Sequence, residues 1–124
     1  GLPFVYVRSK PKEHGLTNTI EGDLKHGLRV LVVEDTISTG GSSLKAVEDL
    51  RNAGEEVIGM IAIYKYGFES THQRFEDAGV ILKTLTNYEF LLRAAIQTGY
   101  ISNDELETLN SWRTNPADWS PVSI

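Results

Sequence analysis

Apolar residues are grouped along this chain in two patterns, and the grouping divides it into strands and helices. Two runs, Val30 to Val33 and Val57 to Tyr64 (VIGMIAIY), are apolar without polar alternation, as expected of parallel strands covered on both faces. Two shorter stretches, Pro3 to Val7 (PFVYV) and Val80 to Leu85, predict further strands, the first from its aromatic and β-branched residues. Thr17 to Ile20 reads as a strand returning from the first, ended by turn residues between Gly22 and Gly27. Elsewhere the apolar period lengthens to that of a helix. Leu44, Val47 and Leu50 share one face of a segment capped by Ser42 or Ser43 and stopped by Gly54. A short helix is predicted over Thr71 to Asp77. A third opens on a capping box of Thr86 with Glu89 and buries Leu91, Ala94 and Ala95, and a fourth opens on a box of Ser102 with Glu105 and carries Leu106, Leu109 and Trp112. Strands alternating with helices predict an α/β protein, with Val30 to Val33 as the central strand of its sheet. No internal repeat or domain boundary is visible, so one domain is expected over residues 1–124.

Composition narrows the class. Hydrophobic residues make up 40% and charged residues 23% of the 124, the ordinary globular mix. No apolar run approaches the length that spans a bilayer, and the opening GLPFVYVRSK reads as a strand entering a basic loop rather than as a signal peptide. The lack of cysteine removes disulfides, thiolate catalysis and thiolate zinc sites together, and a soluble cytoplasmic protein is the expected class. A net charge of −5 argues against nonspecific nucleic-acid binding. The start at Gly1, already next to strand-like sequence, reads as a piece of something longer.

The chemistry concentrates in VLVVEDTISTGGSSL, Val30 to Leu44. Parallel sheets bind ligands beyond the carboxyl ends of their strands, which is where Glu34 to Ser42 is expected. Adjacent Gly40 and Gly41 let backbone N–H groups close around an anion, and the start of the following helix adds its positive end. Thr36, Ser38, Thr39 and Ser42 offer hydroxyl donors, so a phosphate monoester fits the loop. No Lys follows the second glycine and the glycines are adjacent, which excludes both the Walker loop and the GxGxxG fingerprint. Glu34 and Asp35 would repel a phosphate but suit the vicinal hydroxyls of a ribose, so a sugar phosphate satisfies both halves of the stretch.

A second cluster lies upstream. RSKPKEHG places Arg8, Lys10, Lys12 and His14 within seven residues of an acidic chain, with Pro11 and Gly15 arguing for an exposed, mobile loop. Charge runs on their own are usually solvated; the sharper expectation is an arm that meets a polyanion. His26 and His72 read as surface residues, Trp112 and Trp119 as packing residues, and no nucleophile triad or all-protein metal site is visible.

The string VVEDTISTGGS resembles the 5-phosphoribosyl-1-pyrophosphate motif of the type I phosphoribosyltransferases. RSKPKEHG followed by NTIEG is similar to the mobile catalytic loop of the orotate phosphoribosyltransferases, and the similarity continues through GMIAIYKYGF and TLTNYEFLLRAAIQTGYI to Trp112 and Arg113. The resemblance implies that fold, a mostly parallel sheet flanked by helices, without the N-terminal hood that family members place over the pyrimidine. It implies a reaction in which orotate attacks C1 of the phosphoribosyl donor and pyrophosphate leaves, giving orotidine 5′-monophosphate for UMP synthesis, with Mg²⁺ carried by the diphosphate. Arg8, Lys12 and His14 match the family's loop cations for the pyrophosphate. Lys10 stands near the position where some members carry a Lys directly after the Arg, here Ser9. Glu34 and Asp35 match the ribose-binding acids, and Thr36, Ile37, Ser38, Thr39, Gly40, Gly41 and Ser42 match the 5′-phosphate loop, with Ser38 also at the orotate-contacting position. A homodimer is implied, each arm acting in its neighbour's site. Lys65 and Tyr66, at the next strand end, are placed to approach the base. A donor-binding regulatory module and a phosphoribosyltransferase for another base are the alternatives. The cations of the arm favour catalysis over regulation, and RSKPKEHG is a poor match to the loops of purine or uracil enzymes.

Overall fold

The computed structural model describes residues 1–10 and 19–120. Their elements run β1 (Tyr6–Val7), β2 (Ile20–Glu21), β3 (Arg29–Ile37), α1 (Gly41–Asn52), β4 (Glu56–Lys65), α2 (Glu69–Asp77), β5 (Leu82–Asn87), α3 (Tyr88–Gln97) and α4 (Asn103–Thr114). β1 and β2 pair antiparallel as a ribbon of their own, with Tyr6 opposite Glu21 and Val7 opposite Ile20. The other three strands form a parallel sheet in the order β3, β4, β5.

The α/β class and parallel pairing agree with the hydrophobic pattern, but the sheet is arranged differently. The run Val57 to Tyr64 supplies the middle strand, and the run expected to be central lies at an edge. Both are longer than their apolar cores: β3 continues to Ile37, so Glu34 and Asp35 lie within the strand and not past its end. β1 keeps only two residues of the expected Pro3 to Val7 strand. Ile20 belongs to β2, while Thr17 and Asn18 lie outside the described residues.

One face of the sheet carries the core. Ile37, Val47, Met60, Ala62, Phe75 and Val80 pack together there, with Val32, Leu44, Val57, Ala78 and Leu82 around them, so α1 and α2 share this side. The other face is bare. Leu31 and Val33 of β3, Ile61 and Ile63 of β4 and Leu85 of β5 alternate with the core-facing positions, and all are exposed, Val33 by 67% and Leu85 by 85%. Their continuous apolar runs are therefore written for cover on two faces, of which the described residues supply one.

Three helix starts differ from expectation, α2 simply by beginning at Glu69, two residues before Thr71. The N-cap of α1 is Gly40, in a left-handed conformation (φ 78°), not Ser42 or Ser43, which fall in the first turn. The N-cap of α3 is Asn87, whose side chain accepts from the Phe90 N–H at 3.1 Å, in place of Thr86. α3 then buries Tyr88 and Leu92, while Leu91 and Ala94 are exposed. The Ser102–Glu105 capping box is present in full.

Candidate functional site

The loop between β3 and α1 is built from its first residue. Ile37 is 1% exposed in the core, a burial worth roughly 1.5–3 kcal/mol, which anchors the loop at its strand end. Its side chain is therefore withdrawn from any ligand, and only its backbone belongs to the site. Three consecutive carbonyls then face the β4–α2 side. That of Ile37 accepts from the Tyr66 N–H (3.1 Å), that of Ser38 from the Thr71 hydroxyl (2.8 Å) and that of Thr39 from the Arg74 guanidinium (3.2 Å). In a trans peptide the N–H points opposite to the carbonyl before it, so the N–H groups of Ser38, Thr39 and Gly40 face away from α2. Gly40 completes the turn. A Cβ there would lie 2.7 Å from Cε2 of Phe75, on a backbone that L residues rarely adopt. Gly41 is unlike it, since a Cβ would meet only Thr39 Oγ1, at 3.8 Å. The result is a short loop with N–H groups presented together at the start of a twelve-residue helix, suited to an anion.

The acidic pair is divided. Neighbouring strand residues point to opposite faces, and Glu34 and Asp35 have different surroundings. Glu34 is half-buried and its Oε1 accepts from the Ser43 hydroxyl at 2.8 Å, tying the strand to the first turn of α1. Asp35 is exposed and its Oδ1 accepts from the Thr36 N–H at 2.5 Å, which holds the carboxylate beside the loop with its second oxygen available. Thr36, Ser38, Thr39 and Ser42 are all exposed there. Of the pair, Asp35 is the better placed to accept from a sugar.

The arm begins at the β1–β2 ribbon. The backbone N–H of Arg8 donates to the Thr19 carbonyl (2.7 Å), and its guanidinium Nε meets Glu21 at 2.5 Å. With both groups more than a third exposed, such a pair contributes at most about 1 kcal/mol, so exchanging Glu21 for a polyanion costs little. Lys10 is exposed, and Lys12 and His14 lie outside the described residues. His26 and His72 are exposed, as expected.

Beyond β4 lies a cluster of rings. Tyr66 stacks on Phe68 (5.6 Å between centroids, planes 2° apart) and meets Tyr64, Tyr88 and Trp112 edge-on or tilted. Trp112 is thus a packing residue, as its sequence context implies. Arg113 donates to the Gly67 carbonyl at 3.2 Å, and the Tyr88 hydroxyl to the Leu109 carbonyl at 2.9 Å, so α4 is fastened across the β4–α2 connection. Burial, reinforced by Tyr66 and Tyr88, pushes the Tyr64 phenol up to about 12; burial also raises that of Tyr88. The Tyr66 ring is committed to this cluster, whereas Lys65 is half-buried opposite Ile37 in the strand register. Among the described residues no group of three or more His, Cys, Asp or Glu could hold a metal ion. No helix of these residues is long and apolar enough to cross a membrane.

Thr71, Arg74 and Phe75 shape the loop from more than thirty residues away, with no motif of their own to signal it. The sole hint in the sequence is that a hydroxyl and a large aromatic ring recur on one face of a short polar helix.

No protein-family model matches the chain. An orotate phosphoribosyltransferase of Bacteroides fragilis is 63% identical over 118 residues, covering 95% of this chain and 56% of the relative. The crystal structure of orotate phosphoribosyltransferase from Aeropyrum pernix superposes with a TM-score of 0.67 at 31% identity, over 81% of this chain and 54% of that one. The orotate phosphoribosyltransferase of Mycobacterium tuberculosis in complex with 5-phospho-α-D-ribosyl 1-diphosphate matches at 35% identity with a TM-score of 0.50, over 55% of this chain and 41% of that one. A parallel β-α-β sheet with an acidic, glycine-paired loop at the end of its first strand is, with these neighbours, a type I phosphoribosyltransferase fold. Within that class the chain belongs to the orotate phosphoribosyltransferase family. It spans about half the length of the curated relatives it matches.

Proposed function

We propose that this chain carries the phosphoribosyl-donor site of an orotate phosphoribosyltransferase. The observation that carries the reading is the loop Ile37 to Gly40: the carbonyls of Ile37, Ser38 and Thr39 are taken up by the connection before α2 and by α2 itself, leaving the N–H groups of Ser38, Thr39 and Gly40 and the α1 start for a 5′-phosphate. Asp35, with Glu34 behind it, accepts from the ribose hydroxyls; Thr36, Ser38, Thr39 and Ser42 add hydroxyl donors; and Ser38 also meets orotate. A ring nitrogen of orotate gives up its proton to solvent and forms the new bond to C1 as the bond from C1 to the diphosphate oxygen breaks. Orotidine 5′-monophosphate and pyrophosphate are the products. Negative charge grows on the departing diphosphate, so Arg8, Lys12 and His14, with Lys10 beside them, lower the barrier by meeting it. Mg²⁺, carried by the diphosphate, supplies further charge neutralisation. The arm serves the neighbouring subunit of a homodimer, in the cytoplasm. The whole forms one α/β unit that is incomplete for turnover without the rest of the protein.

A donor-binding module without catalysis is the second reading, favoured by the Arg8–Glu21 pair, which already engages the first cation of the arm. Orotate turnover and donor affinity, measured in the full-length protein and in its Arg8→Ala/Lys12→Ala variant, separate the two. Turnover is expected to fall by about 10²–10³-fold while donor affinity changes far less. A double variant that turns over like the wild type would contradict the role given to the arm.

A further inference from the structure

We infer that α2 is a brace for the phosphate loop, with Thr71 as its principal positioning residue and Arg74 as its second. The inference rests on the reading of Ser38 to Gly40 as the cradle of a ribose phosphate. Three contacts from one helix converge on three successive residues. Thr71, 5% exposed, donates its hydroxyl to the Ser38 carbonyl; Arg74 donates to the Thr39 carbonyl; and the Phe75 ring, 3% exposed, fills the space beside Gly40 where a side chain would stand. The Thr71 methyl touches the same space, 3.4 Å from where that Cβ would be. Thr71 therefore uses both of its branches, the hydroxyl to aim a peptide and the methyl to close the packing against Gly40.

The consequence concerns direction. The Ser38–Thr39 peptide has its carbonyl fixed by Thr71, so its N–H is fixed on the opposite side. Without the hydroxyl the part-buried Ser38 carbonyl would lose its donor, and turning that peptide toward water would relieve it. The same rotation would swing the Thr39 N–H away from the anion and bring a carbonyl oxygen toward it. A phosphate would then meet a lone pair in place of a donor, so one hydroxyl beneath the loop decides its polarity above. Arg74 restrains the next peptide in the same way from the exposed side of α2, more weakly because its bond is longer and open to water.

Isothermal titration with 5-phosphoribosyl-1-pyrophosphate and with ribose 5-phosphate tests this, using the wild-type protein and the variants Thr71→Val, Thr71→Ser and Arg74→Met, each held well below its own Tm. Thr71→Val keeps the shape and loses the donor, so both ligands should bind roughly tenfold more weakly, a shift of about 1.4 kcal/mol. Thr71→Ser keeps the donor and loses the methyl; it should lower Tm yet bind within about twofold of wild type. Arg74→Met sits at the surface, where folding is not at issue, and should weaken both ligands about threefold. Wild-type affinity in Thr71→Val, or equal losses in the Val and Ser variants, would overturn the brace. Failure of the wild-type protein to bind either ligand would instead remove the cradle reading, and the brace with it.

Discussion

Gly40 answers to two constraints at once. Its φ of +78° lies where a Cβ costs about 1–2 kcal/mol, and that Cβ would overlap the Phe75 ring, itself fixed in the core. Gly40→Ala should therefore lower stability by roughly 2–4 kcal/mol, combining backbone strain with overpacking, and should weaken donor binding as the loop re-forms around the ring. Gly41→Ala, with only an ordinary van der Waals contact at its Cβ, should leave stability within about 1 kcal/mol of wild type. Denaturant melts of the two variants check the contrast; equal losses would contradict it. The sequence shows the two glycines as a pair suited to an anion. It does not show which is indispensable, because the deciding ring stands thirty-five positions downstream on another element. Arg8 is a similar case: its charge is legible in the arm, its ion pair with Glu21 is not, since that contact exists only once β1 and β2 have paired.

At the scale of elements, the pattern of apolar positions identified strands and helices well and their ends poorly. β3 runs on through Glu34, Asp35 and Thr36 because β4 offers backbone partners as far as Lys65, and strand polarity yields to that ladder. The buried face of α3 differs from the expected one for a related reason. Leu91 and Leu92 are equally apolar, and the choice between them is made by Tyr88, which turns inward to the rings around Trp112. That cluster also gives the molecule a response to alkali. The Tyr64 phenol is raised from 10.0 to about 12, chiefly by burial, so the neutral form is favoured in the folded state. Its contribution to stability is complete below the unfolded value and is lost as pH climbs from about 10 through 12. Wild-type stability should thus fall over that interval more steeply than that of Tyr64→Phe, which has no proton to lose; parallel curves in denaturant melts between pH 9 and 12 would refute this.

For the whole molecule, the sheet has one furnished face and one bare one. Leu31, Val33, Ile61, Ile63 and Leu85 form an apolar surface of the kind that monomeric proteins seldom expose. The long unalternating runs announced burial on both sides, but nothing in the sequence says what provides it, and the chain corresponds to a little over half of its relatives. The isolated chain should bind an apolar dye such as ANS and self-associate as its concentration rises. Ile63→Lys with Leu85→Glu should reduce both, as read by dye fluorescence and sedimentation; undiminished signals would place the apolar surface elsewhere. The brace, by contrast, stands on the furnished side: Phe75 belongs to the core that Val47, Met60 and Val80 complete, and the carbonyls of Ile37, Ser38 and Thr39 are held by Tyr66, Thr71 and Arg74. Whatever lies against the bare face can thus arrive or leave without re-aiming a single peptide of the cradle. On the proposed reading, the loop that would grip a sugar phosphate and the helix that braces it come from one contiguous stretch of chain, Arg29 to Val80, so the parts of the cradle are neighbours in sequence as well as in space.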